Sequence, residues 1–211
     1  IQTFDHCKNP GEIALTFNDG PNLEYTNDIL DILDKEDIKA TFFISGEESD
    51  LKNNSKAKKI IKREYKSGHI IASHTYNHPV GISNLSSNEL KVEVNELADT
   101  IYNIIGVKPA FFRPPNGEFS LTNLEVLENC KITANILWNL DSEDWNSKTD
   151  PFTQYVSILG DIDPRVNSFI ALHHDEGNDS AIENLPKIIS YVKSLGYKFV
   201  TMDKCIGMNP Y

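Results

Sequence analysis

His74 and His78 stand four residues apart in the segment His74-Thr75-Tyr76-Asn77-His78. Two imidazoles at that spacing reach one cation from a single turn, and imidazole nitrogen suits a borderline metal such as zinc. Taken alone, such a pair is more often structural or solvent-exposed than ligating. A third ligand changes the balance, and Asp19, in Asn18-Asp19-Gly20-Pro21, supplies a carboxylate oxygen. An Asp-His-His set leaves coordination positions open for water and substrate, which is the pattern of a catalytic centre and not of a closed structural one. Asp-Gly and Gly-Pro are also strong turn signals, so a plain turn is the other reading of that segment. Three more polar clusters follow: Arg113-Pro114-Pro115-Asn116-Gly117, Asp141-Ser142-Glu143-Asp144-Trp145 and His173-His174. Each has a structural alternative: a rigid loop tethered by a surface ion pair, a solvated acidic face with Trp145 as packing, and a strand end whose imidazoles meet backbone carbonyls.

The elements that position these clusters alternate between two periods. Strands are expected over 12–17, 40–44, 70–73, 110–112, 132–140, 168–172 and 198–202, and helices over 25–36, 55–67, 87–105, 121–129, 152–159 and 181–194. The helix over 87–105 is the clearest, with Leu90, Val94, Leu97, Ile101 and Ile104 at steps of four and three and Gly106 as its stop. Unbroken βα alternation argues for a parallel sheet closed into a barrel, with a doubly wound open sheet as the alternative. A barrel collects its site on the loops after the C-terminal ends of its strands, and all five polar clusters fall there.

Composition sets the outer bounds. The 211 residues carry 39% hydrophobic and 24% charged positions, enough for a sizeable core in one domain spanning 1–211. Twenty basic against 31 acidic residues give a net charge of −11, which argues against nucleic acid as a partner. No apolar run approaches the ~18 residues of a membrane span. The chain starts at Ile1, as a processed chain does once a signal peptide is removed, which leaves export open. Asn-x-Ser triplets at Asn53, Asn84 and Asn178 add little weight in so Asn-rich a chain. Cys7 and Cys205 sit near the two ends and could staple them; three reduced thiols, Cys130 included, is the other reading.

In order along the chain, Thr16-Phe17-Asn18-Asp19-Gly20-Pro21, His74 to His78, Arg113 to Gly117, Asp141 to Trp145 and Leu172-His173-His174 resemble the five motifs of the polysaccharide deacetylases, carbohydrate esterase family 4 or the NodB-homology domain. The run Leu137-Trp138-Asn139-Leu140-Asp141-Ser142-Glu143-Asp144-Trp145 is most similar to chitin deacetylases. The resemblance implies a distorted (β/α)7-8 barrel. It implies that Asp19, His74 and His78 hold a divalent metal, zinc or another such as cobalt. It makes His174 the general acid, oriented by Asp144. The backbone N–H of Asn116 would hold an oxyanion, and Trp145 and Leu172 would shape the acetyl pocket. The implied reaction is hydrolysis of N-acetyl groups on chitin-like polymers of N-acetylglucosamine, by a secreted or cell-wall protein that is expected to be a monomer.

Asn18 departs from the motif. The family carries two consecutive aspartates, the first of which deprotonates water and pairs with the arginine at the position of Arg113. An amide cannot accept that proton near neutral pH. Two function classes therefore stand: a metal-dependent deacetylase with weakened turnover, and an inactive, deacetylase-like carbohydrate-binding or cell-wall protein.

Overall fold

The computed structural model describes residues 1–175 and 179–211. Its strands are β1 (Gln2–Phe4), β2 (Glu12–Asn18), β3 (Thr41–Ile44), β4 (Ile70–Ser73), β5 (Phe111–Phe112), β6 (Ala134–Ile136), β7 (Leu140–Asp141), β8 (Phe169–His174) and β9 (Lys198–Val200). Its helices are α1 (Thr26–Lys35), α2 (Ser55–Lys66), α3 (Ser87–Ile105), α4 (Leu121–Asn129), α5 (Pro151–Leu159), α6 (Asp179–Ser194) and α7 (Met202–Ile206). All pairings are parallel, in the order β1-β6-β5-β4-β3-β2-β8-β7, a sheet curled into a half-barrel. β9 lies against Glu12 to Ala14 of β2, while β3 pairs with Thr16 to Asn18 on the same edge, so β2 is shared along its length.

The period of two sorts side chains between the faces. Ile13, Leu15 and Phe17 of β2 point outward with Phe42, Ile44 and Ile71 and pack under α1, α2, α3 and α6 through Leu30, Leu33, Ile61, Leu97 and Ile189. Ala14, Phe43, Ala72, Phe111 and Ile170 point inward and form a second apolar layer with Phe4, Val200 and Met202. α3 keeps its expected bounds because both ends are chemically marked. Ser86 Oγ accepts from Glu89 N, the Glu89 carboxylate accepts from Ser86 N, and Gly106 adopts φ +80°.

The structure corrects two sequence expectations and adds a strand. The single strand over 132–140 is split, because 134–136 pair with β1 and β5 whereas 140–141 pair with β8, and Leu137-Trp138-Asn139 cross between them. The sheet ends at β1 on one side and at β7 on the other, and this crossing carries the chain between those edges, with Leu137 N donating to Phe4 O and Asn139 N to Ile170 O. The last strand ends at Val200 instead of running to Met202, and Met202 opens α7. The short β1 has no periodic signal of its own and is a strand only because β6 pairs with it. α7 carries Cys205 to Cys7, and the two form a disulfide across 198 residues. Cys130 is a free, half-buried thiol.

Candidate functional site

The five polar clusters meet at one rim, as the barrel reading requires, and border a cavity of about 840 Å³. The strand ladder continues into the loops and holds them there. Asp19 N donates to Phe43 O, His74 N to Ile44 O, Arg113 N to Ser73 O and Ser142 N to Leu172 O. Asp19, Thr75, His78, Asn116 and Glu143 all have positive φ, a costly conformation for residues with a Cβ. Gly20 is required by crowding, since a Cβ there would lie 1.8 Å from Asp175 Oδ2.

Asp19, His74 and His78 converge. Asp19 Oδ1 lies 3.3 Å from His74 Nε2 and 3.4 Å from His78 Nε2. His74 is buried, and its Nδ1 sits 2.7 Å from the Arg113 carbonyl oxygen. A carbonyl only accepts, so Nδ1 carries the proton and Nε2 presents its lone pair to the site. Asp19 Oδ1 is buried with no hydrogen-bond partner. Ligand bonds of ~2.0–2.1 Å at tetrahedral angles put ligand atoms ~3.3 Å apart, so an orphaned carboxylate oxygen and two free imidazole nitrogens at this spacing fit a divalent cation of the zinc or cobalt type. Burial lifts the Asp19 carboxyl above its usual range, against the opposing pull of His78 and His174. Burial, then His78, push the His74 imidazole well below its usual range, which keeps it neutral.

His174 faces this trio from β8, its Nε2 4.0 Å from Asp19 Oδ2. Its Nδ1 is 2.7 Å from Asp144 Oδ1, and its backbone N donates to Asp144 Oδ2. Burial alone would depress the His174 imidazole, but the Asp144 hydrogen bond and charge outweigh it and raise its pKa. Asp144 is itself buried, which favours its neutral form, yet the adjacent His173 and His174 hold it well below the ordinary carboxylate range. His173 points to the opposite face of β8, where its Nε2 lies 2.8 Å from the Tyr155 hydroxyl of α5. Its imidazole is thus satisfied by side chains and not by a backbone carbonyl.

Arg113 is fully buried, not a surface tether. Its guanidinium donates to Thr16 Oγ1, Asn18 Oδ1, Ile136 O and Leu137 O, which ties the end of β6 and the residue after it to β2. It stacks 4.0 Å over the Phe43 ring, with Trp138 at 5.5 Å on another side. Burial lowers its pKa to about 9, opposed by Asp19 and Asp141. The charged fork meets the Asn18 amide oxygen at 2.9 Å where the family motif has a carboxylate. Asn116 lines the cavity on a tight turn with φ +57°, as do Leu172, nearly buried, and Trp145, 63% exposed.

A family model described as polysaccharide deacetylase matches residues 5–135, more than half of the chain. The chain belongs to the polysaccharide deacetylase family. Among relatives, a peptidoglycan-N-acetylglucosamine deacetylase of Bacillus cereus is 35% identical over 202 residues, 94% of this chain and 70% of its own. The chitin deacetylase structure from Colletotrichum lindemuthianum superposes with a TM-score of 0.89 at 30% identity, covering 99% of this chain and 93% of that one. A CE4 family pseudoenzyme from Bacillus anthracis superposes at 0.82 with 26% identity, over 96% and 68% of the two chains. A mutant of that pseudoenzyme, described as having restored enzymatic activity, matches with the same score. The deacetylase family thus holds active members and at least one pseudoenzyme on this fold.

Three supporting residues were given no role by the sequence. Glu93 of α3 clamps the histidine loop, its carboxylate accepting from Tyr76 N, Asn77 N and Asn77 Nδ2. It reads in sequence as one more solvated helix acid. Tyr155 occupies an apolar-looking helix position, and Trp138 lies in what reads as a continuous strand. Asn53 and Asn84 are exposed, and Asn178 lies outside the described residues. No helix among the described residues is long and apolar enough to cross a membrane.

Proposed function

We propose that this chain is a metal-dependent N-deacetylase acting on β-1,4-linked N-acetylglucosamine polymers of the chitin type, limited in rate by Asn18. The observation that carries this reading is the convergence of Asp19, His74 and His78 around an orphaned carboxylate oxygen, opposite a His174–Asp144 pair. A divalent cation held there supplies Lewis acidity toward the acetamide oxygen and a lowered pKa for water. Trp145 and Leu172 flank the acetyl methyl. The Asn116 N–H donates to the oxyanion that develops on the carbonyl oxygen. His174, protonated at Nε2 and fixed through Nδ1 by Asp144, gives its proton to the departing amine. Asn18 holds the base position without being able to take a proton, so water activation loses its carboxylate. Action at an extracellular or cell-wall polymer fits the disulfide and the substrates named for the relatives.

The test is acetate release from chitin oligomers by zinc-loaded protein. Asn18→Asp is expected to raise the rate by about 10²–10⁴-fold, the usual worth of a general base. His174→Ala is expected to abolish release in both backgrounds. No acetate from either the natural chain or Asn18→Asp above the His174→Ala control would overturn the enzyme reading. One observation favours a second reading, a carbohydrate-binding protein without turnover: Arg113, which would hold the base, is engaged by the Asn18 amide in a network of four hydrogen bonds. Oligomer binding with no product, even in Asn18→Asp, would establish it.

A further inference from the structure

Beside the main cavity lies a second one of about 420 Å³ that shares Asp19 and His78 with it. Its other borders come from the loop after β3 and from the histidine loop: Ser45, Glu47, Glu48 and Asn77 among them. The volume lies within the range of small-ligand sites. Glu47 and Glu48 are exposed, and among the described residues neither side chain has an ion pair or hydrogen-bond partner. Lys52, the nearby cation on the same loop, is engaged by Glu96 and lies over the Tyr76 ring. Ser45 is 2% exposed, borders the cavity, and its Oγ has no hydrogen-bond partner. A buried hydroxyl left unsatisfied costs free energy, and a polar ligand in the cavity would relieve it. The loop's shape is held independently of any ligand. Gly46 N and Glu47 N both donate to Tyr76 O, and a Cβ on Gly46 would lie 2.4 Å from the Tyr76 ring.

Two uncommitted carboxylates and a waiting hydroxyl, beside a site that turns acetamides into amines, specify a cationic and hydroxyl-rich ligand. We propose that this cavity is a subsite for a glucosamine unit whose amine is already free, adjacent to the N-acetylglucosamine unit at the metal residues. The proposal rests on the N-deacetylase reading and adds to it a preference for partly deacetylated chains. An N-acetyl sugar is neutral, whereas the free primary amine of a glucosamine unit is basic and takes up a proton to become an ammonium ion in mildly acidic to neutral solution. Glu47 and Glu48 attract the second and are indifferent to the first. The attraction is exposed and therefore screened by salt.

The test is calorimetric binding of two chitin tetramers to the zinc-loaded chain, one fully acetylated and one with a single free amine. The tetramer with the free amine is expected to bind about fivefold more tightly at low ionic strength, the usual reach of exposed ion pairs, with the preference shrinking in high salt. The double variant Glu47→Gln, Glu48→Gln removes only exposed side chains. It is expected to lose the preference while keeping its affinity for the acetylated tetramer. The control Glu125→Gln, Glu128→Gln on the exposed face of α4 is expected to keep it. Equal affinities in the natural chain, or a preference that survives in the Glu47/Glu48 double variant, would overturn the subsite while leaving the deacetylase reading intact. Failure of either tetramer to bind at all would overturn both.

Discussion

At the residue scale, the chemistry of the rim is decided by what each polar atom is paired with. Asp19 Oδ1 has no hydrogen-bond partner, His74 Nδ1 is committed to a carbonyl, and His174 Nδ1 to Asp144. The free lone pairs of the trio and the His174 imidazole therefore all face the same cavity. The raised pKa of His174 has a sign that can be checked. Because its folded midpoint lies above 6.5, the His174–Asp144 pair contributes its full stability below that value and loses it as pH climbs through the folded midpoint. In metal-free protein, an NMR titration is expected to place His174 above 6.5, and Asp144→Asn to bring it down. An unchanged midpoint in Asp144→Asn would remove Asp144 from its orienting role.

At the element scale, the histidine loop is a stretch of strained backbone held from outside. Thr75 and His78 have positive φ, and Glu93 on α3 accepts three hydrogen bonds from Tyr76 and Asn77. α3 is itself fixed by its capping box and by Leu90, Val94, Leu97 and Ile101, all buried, so it is a rigid support for the loop. Glu93→Ala leaves the imidazoles of His74 and His78 in place but frees the turn that aims them. Its zinc affinity is expected to fall by about 10–100-fold, the usual cost of losing a partner that orients a ligand. Competition against a chromophoric chelator measures it, and an unchanged affinity would mean that the loop holds its shape unaided.

At the scale of the whole molecule, the curled sheet is completed by devices other than a ladder. The Leu137–Asn139 crossing carries the chain from β6 to β7 between the open sheet edges β1 and β7, the Arg113 guanidinium ties the start of that crossing to β2, and the Cys7–Cys205 disulfide ties the N-terminal segment to α7. Constraining ends 198 residues apart removes much conformational freedom from the unfolded chain. Replacing both cysteines with serine is expected to cost about 2–5 kcal/mol in denaturant unfolding. Reductant should lower the midpoint of the natural chain and leave that of the variant unmoved.

Local spacing along the chain already determined the βα alternation, the bounds of β4, α3 and α4, and the five rim clusters. These depend on periods of two and of three to four residues and on caps, which are properties of near neighbours. Asn18 was equally legible, because a missing carboxylate is a matter of residue type alone. Only the tertiary structure decided that residues 132–140 split between two partners, that β1 is a strand, and that Arg113 is buried against an amide. It also decided that Glu93 and Tyr155 serve the site and that Glu47 and Glu48 stand together unpaired. Those outcomes depend on sheet curvature and strand register, which bring together side chains distant in the chain, and no local pattern encodes such a meeting.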